Sequence, residues 1–344
     1  MFHTTPSNRQ SDIIKISAHS KEMNKRDISI DILKFFAALV ITNSHMELLY
    51  GKYSFLATGG AIGDVLFFFA SGFTLFLGTM GRFDNWYKRR INRIYPTVFA
   101  WAIIAAFVFN HQNDMKFTVI HGGGGWFVTC IMLYYVVLWF IRKLMPGKLW
   151  TAFGMASVAV LAVYLIIDWP EGWGMYGATY FKWLHYFLFM LFGAIVGKMP
   201  RQGLNFNFWL DAGKLFLCVM AFYAVVIGST RNHVINQWQI ISLLPLLGTT
   251  YYFYKVCSSR QMKRCYENRY VGWCIKFIGG LCLEIYIVQG VLFTDAMNGI
   301  FPLNIPLMFL IIFVVAYLLR CASRIFSQTF KDGEYDWKAV FKPV

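Results

Sequence analysis

Ten apolar runs, each about long enough to cross the hydrocarbon core of a bilayer, alternate with short basic segments along this chain of 344 residues. They lie near 28–49, 60–80, 94–110, 126–142, 149–167, 181–198, 212–229, 238–256, 271–293 and 305–323. Charged residues make up 14% of the chain and apolar residues 58%, whereas a soluble domain carries about 25% charged residues. One water-surrounded core cannot hide that much apolar surface. The pattern predicts an all-α, polytopic integral membrane bundle of about ten transmembrane helices. Residues 1–27 would form an N-terminal tail, 28–323 the membrane domain and 324–344 a C-terminal tail. Little length remains for a separate soluble catalytic domain, so any chemistry must be built from the spans and their loops.

Charge gives the expected orientation. Of 32 Lys and Arg, 26 fall in the N-tail, in 81–93, 142–148, 198–214 and 255–269, and in the C-terminal segment from Arg320. The alternate segments hold four: Lys52, Lys116, Lys182 and Arg231. Lys34 and Lys276 lie within runs. Positive residues mark the cytosolic side, so both termini are expected in the cytosol. The net charge of +15 then reflects topology and contact with anionic lipid rather than nucleic-acid binding. The polar, basic start is expected to be a retained tail rather than a signal peptide.

The seven cysteines include no C-x-x-C pair. They read as packing residues, and neither a disulfide framework nor a metal site is expected. Gly122–Gly125 follows no strand and reads as a turn entering the fourth run, not a phosphate-binding loop. No pair of interrupted runs in matching halves suggests a secondary transporter.

Ionisable side chains inside spans cost roughly 2.5–3.5 kcal/mol each and so need a partner or a purpose. Lys34, His45, Asp64 and Glu284 are in that position, and Asp31 sits one turn before Lys34, where the two can pair. Lys34 and His45 are eleven residues apart, which in a helix places them on one face about 16 Å apart along the axis. Asp64 begins the second run at a depth similar to His45 and is expected to orient its imidazole. Arg90 and Arg93 share a face if their segment is helical, and paired guanidinium groups grip phosphate. Glu284, near the middle of the ninth run, has no sequence neighbour well placed to pair with it, since Lys276 is two turns away.

These residues form a set. Ile30-Asp31-Ile32-Leu33-Lys34 through His45, the run Gly59 to Phe73 containing Asp64, Arg90-Ile91-Asn92-Arg93 followed by Ile94-Tyr95-Pro96, Gly125-Trp126-Phe127 and Leu281 to Gln289 occur in order. In that order and spacing the chain resembles the membrane acyltransferase-3 family from about residue 28 to 323. Two positions depart from the pattern: Lys34 stands where many members have Arg, and Gln289 where many have His. The resemblance implies an O-acyltransferase, of the usual acetyl-transferring kind, in the inner (plasma) membrane. It would move an acyl group from cytosolic acetyl-CoA to a hydroxyl of an envelope or exported polysaccharide, or of its lipid-linked precursor. It implies His45 as general base or transient acyl carrier, Asp64 and Glu284 as its catalytic companions, and Lys34, Arg90 and Arg93 as the donor-binding cations. The rival readings are a transporter or flippase for a lipid-linked sugar or small metabolite, and a non-catalytic partner in a polysaccharide assembly.

Overall fold

The computed structural model describes residues 27–78, 81–108, 125–170, 172–177, 179–200 and 206–343. In chain order its helices are α1 (Ile28–Ser44), α2 (Glu47–Tyr50), α3 (Gly60–Leu75), α4 (Phe83–Val108), α5 (Gly125–Leu144), α6 (Leu149–Ile166), α7 (Lys182–Lys198) and α8 (Phe208–Arg231). They continue as α9 (His233–Gln237), α10 (Leu243–Ser258), α11 (Arg260–Glu267), α12 (Arg269–Gly280), α13 (Cys282–Leu292), α14 (Asn304–Thr329) and α15 (Trp337–Val340). There is no strand among the described residues.

Every predicted run is helical, but the runs are not alike. Among the described residues six helices are long and apolar enough to cross a membrane: α4, α5, α6, α8, the stretch Gln239–Ser258 that contains α10, and α14. The first and ninth runs are each broken, by 63° between α1 and the segment Glu47–Leu56 and by 71° between α12 and α13; counting each bent pair as one span gives eight. The remaining two, α3 and α7, have 16 and 17 residues, about 24–26 Å at 1.5 Å per residue. That is short of a hydrocarbon core of about 30 Å. Helix length and composition alone therefore give a lower count than the apolar runs do.

The short pair lies at the heart of the bundle. Small residues let α3 and α7 meet backbone to backbone, as helices in lipid commonly do. A Cβ at Gly72 would overlap the Met190 carbonyl, and one at Gly193 would overlap the Phe69 carbonyl. Phe68, Phe69, Phe73, Tyr186 and Phe189 are fully buried around this crossing. α1 packs against α3 of the pair and against α10, α11, α12 and α13, so the helix carrying Lys34 and His45 is central. At the periphery, α6 and α8 have only 22% and 11% of their apolar windows buried. Apolar surface left bare to that extent requires lipid.

Each bend has a local cause. α1 ends at His45, whose backbone N–H donates to the Thr42 and Asn43 carbonyls. The Asn43 side chain then holds the returning chain, donating to the carbonyls of Leu56 (2.9 Å) and Thr58 (3.0 Å) and accepting from the Tyr50 hydroxyl (2.7 Å). The second bend follows Gly279-Gly280, a pair that commonly kinks helices. The Arg320 guanidinium inserts there and donates to the Gly280 carbonyl. α14 continues past residue 323 to Thr329, and the chain beyond it folds back: Arg324 donates to the carbonyls of Val340 and Lys342.

The α3–α7 crossing yields a direct test. Gly193→Ala should lower the thermal midpoint of the purified protein in detergent, corresponding to about 1–3 kcal/mol of overpacking. Gly154→Ala, on α6 where a Cβ would meet nothing within 4 Å, should leave the midpoint unchanged or slightly raised.

Candidate active site

The basic stretch after Gly81 is the start of α4, so Arg90 and Arg93 do lie on one helical face. Arg90 is fixed in place: its Nη1 donates to the Trp86 carbonyl (3.0 Å), and its guanidinium carbon lies 4.2 Å from the centre of the buried Trp86 ring. Planar stacking of this kind suits Arg and not Lys. Arg93, a turn later, is exposed.

Both arginines line a cavity of about 440 Å³ between α1, α3, α4, α5, α12, α13 and α14. Lys34 reaches it from α1, Glu284 from α13, and Arg89 and Arg320 from α4 and α14. Ser71, Thr74 and Tyr135 add hydroxyl groups. Four of the six residues singled out in the sequence, Lys34, Arg90, Arg93 and Glu284, thus meet around one space. Five cations line it against one carboxylate.

Glu284 has the partner that the sequence did not supply. Arg320 grips it through both oxygens, Nε to Oε1 at 3.1 Å and Nη2 to Oε2 at 2.8 Å. The carboxylate side chain is 6% exposed. In the sequence Arg320 reads as the first charge of the C-terminal basic segment; in the fold it belongs to α14 and faces α13. Paired in this way, Glu284 compensates a half-buried cation and shapes the cavity wall. Asp31 accepts a hydrogen bond from the Tyr266 hydroxyl (3.1 Å).

Farther along α1, next to the cavity, lies a second, far smaller chamber of about 20 Å³. Phe67, Phe127, Cys282 and Leu283 line both spaces. Thr42, Tyr286 and Gln289 are the polar members of the inner chamber. Beyond it lies the remaining pair. Asp64 hydrogen-bonds with the Tyr186 hydroxyl, and the Lys182 ammonium is the cation nearest to it electrostatically. Lys182 acts on His45 as well, together with Glu47. His45 itself is exposed at the end of α1. Asp64 is therefore tied to His45 through the field of Lys182 and is held by Tyr186, rather than gripping the imidazole as the sequence reading expected.

Lys182 was not recognised in the sequence, where it counted only as a loop charge. It opens α7 and lies 4.1 Å from the centre of the Trp126 ring, which itself stacks on Tyr186. Its significance arises only from the α3–α7 crossing, which sequence spacing does not reveal. Of the glycine run, Gly125 is the first residue of α5 with φ +60°; residues 122–124 lie outside the described residues, as does the tail 1–26. Among the described residues no group of three or more His, Cys, Asp or Glu side chains could hold a metal ion.

Along one helix follow a cationic vestibule, a small, mostly apolar chamber and an exposed imidazole. A vestibule of that charge suits a polyanion. Residues 27–322 match a family model, Acyl_transf_3, described as an acyltransferase domain. No curated protein and no solved structure matches the chain.

The Glu284–Arg320 pair can be tested apart from any activity. Arg320→Ala leaves a buried carboxylate unpaired and should cost about 3–5 kcal/mol of stability, read as a lowered thermal midpoint in detergent. Adding Glu284→Gln to Arg320→Ala should recover part of that loss. Failure of the second substitution to recover any stability would show that the pair is not what sets the cost.

Proposed function

Since the chain belongs to the Acyl_transf_3 family of acyltransferases, and is a multi-pass helical protein with membrane-length apolar helices, we propose that it is an O-acetyltransferase of the inner (plasma) membrane. The acyl donor is acetyl-CoA from the cytosol. The acceptor is a hydroxyl of an envelope or exported polysaccharide or of its lipid-linked precursor. The observation that carries the proposal is the convergence of Lys34, Arg90, Arg93 and Arg320 on one cavity, with a small chamber beside it farther along α1 in the direction of His45.

Coenzyme A has phosphates at one end and a slender pantetheine arm at the other. Arg90 and Arg93, with Arg320 and Lys34 deeper, would hold the phosphates; a delocalised guanidinium fork matches a phosphate in two hydrogen bonds. The space between Phe67, Phe127 and Leu283 would take the arm. His45 then acts as general base at the far end: it takes the proton of the acceptor hydroxyl as that oxygen attacks the thioester carbonyl carbon. The carbon–sulfur bond breaks, and the sulfur leaves with the proton as the CoA thiol. Lys182 and Asp64, through Tyr186, set the charge around the imidazole.

This chemistry needs the vestibule on the cytosolic side. The excess of Lys and Arg in alternate segments supports that orientation, with the apolar runs making ten crossings and both termini in the cytosol. In that arrangement the short, buried α3 and α7 cross the membrane within a shell of longer helices, where lipid thickness does not set their length.

Radiolabelled acetyl-CoA supplied to inverted membrane vesicles containing the chain should transfer label to glycan or lipid-linked sugar. His45→Ala should abolish transfer, with the protein still present in the membrane. Arg90→Ala should raise KM for acetyl-CoA at least tenfold with a smaller change in kcat, because phosphate contacts are made equally in ground and transition states. Movement of an unmodified sugar across the vesicle membrane without label transfer would support the transporter reading instead.

A further inference from the structure

The inner chamber holds two buried polar atoms that have no partner: Thr42 Oγ1 on α1 and Gln289 Oε1 on α13. Their residues are 1% and 4% exposed. Buried polar groups are nearly always hydrogen-bonded, and an orphan costs about 1–3 kcal/mol. Here both orphans line the same chamber, so one guest can satisfy them together. The chamber offers that guest about 20 Å³, room for roughly one water-sized group. Apart from Tyr286, the rest of its wall is carbon and sulfur, from Ile41, Phe67, Phe127 and Leu283 among others.

Position fixes what the guest must be, if the donor reading above is right. The chamber shares a wall with the cationic vestibule, so the end of the donor remote from its phosphates arrives there. Thr42 is three residues before His45, about 4.5 Å along the helix axis. A thioester at this level lies one turn short of the proposed base. An acyl thioester of pantetheine carries a carbonyl oxygen at the reacting carbon and an amide N–H two carbons beyond the sulfur. These are an acceptor and a donor, the two complements that Thr42 O–H and Gln289 Oε1 lack.

We infer that this chamber is the acyl-selecting pocket of the enzyme: its single water-sized space takes the acyl methyl alone, with Ile41, Phe67, Phe127 and Leu283 closed around it so that only a two-carbon acyl group fits, while at its polar edge Thr42 donates to the thioester carbonyl oxygen and Gln289 accepts from the pantetheine amide N–H. A titratable side chain at position 289 is not needed for this role; a neutral amide serves it. The Thr42 hydroxyl also lies where the carbonyl oxygen gains negative charge as the acceptor oxygen adds, so its hydrogen bond strengthens in the transition state.

The test is a chain-length series. Vesicles containing the full chain are given radiolabelled acetyl-, propionyl- and butyryl-CoA, and kcat/KM for label transfer to the endogenous acceptor is measured for each. The wild type should fall at least tenfold from acetyl to propionyl and again to butyryl. Leu283→Ala should reverse the order in favour of a longer acyl group; Leu283→Val, a milder change, should narrow the ratio if the alanine variant does not accumulate. Thr42→Val, which keeps the shape and removes the hydroxyl, should lower kcat with acetyl-CoA at least tenfold and leave the chain-length ratio unchanged. Equal use of all three donors by the wild type, or an unchanged ratio in both Leu283 variants, overturns the selecting pocket while leaving acyl transfer intact. Absence of transfer from every acyl-CoA overturns the donor reading and the pocket with it.

Discussion

Gathering Lys34, Arg89, Arg90, Arg93 and Arg320 around one cavity in so apolar a bundle has a free-energy cost that the fold must offset. The Glu284–Arg320 pair meets part of it and, through the Arg320 contact with the Gly280 carbonyl, also stabilises the bend between α12 and α13. Stacking of Arg90 on Trp86 meets another part. A single lining carboxylate against five cations leaves the space strongly positive, a field that low-dielectric walls focus rather than screen. The bend, the position of α13 and the shape of the cavity all follow from how those charges are accommodated. A polyanion would complete what Glu284 begins.

α1 is the second organising element. It touches α3, α10, α11, α12 and α13, and its residues take part in each stage of the path: Lys34 in the vestibule, Ile41 and Thr42 in the chamber, and His45 at the end. A rigid helix that sets all three stages keeps their spacing fixed. Its central position depends on the glycine-mediated crossing of α3 and α7, which lets aromatic side chains close the interior without leaving space beside the path.

Much of this was legible in the sequence because lipid imposes strong rules. Apolar runs became helices, and charges gathered in a site: Lys34 and Glu284 stand out by the cost of a charge within a run, Arg90 and Arg93 by their spacing in a basic segment. What escaped was tertiary. Arg320 stands at the end of an apolar run and reads as an anchor until α14 packs beside α13. Lys182 reads as a loop charge until the α3–α7 crossing carries it toward Asp64. The breaks at His45 and Leu281 lie inside continuous apolar stretches, where hydropathy has no signal for a bend. Thr42 is one hydroxyl among many until its burial without a partner is seen. The span count shows the same limit, since α3 and α7 are too short for a length criterion yet occupy the centre of the bundle.

A structure of the full chain with CoA bound, determined by cryo-electron microscopy in lipid nanodiscs, tests the central claim most directly. The account predicts phosphate density against Arg90 and Arg93, the pantetheine arm passing between Phe127 and Leu283, and the sulfur at the level of Thr42, one turn from His45. CoA bound elsewhere, or bound with its sulfur directed away from α1, would contradict it.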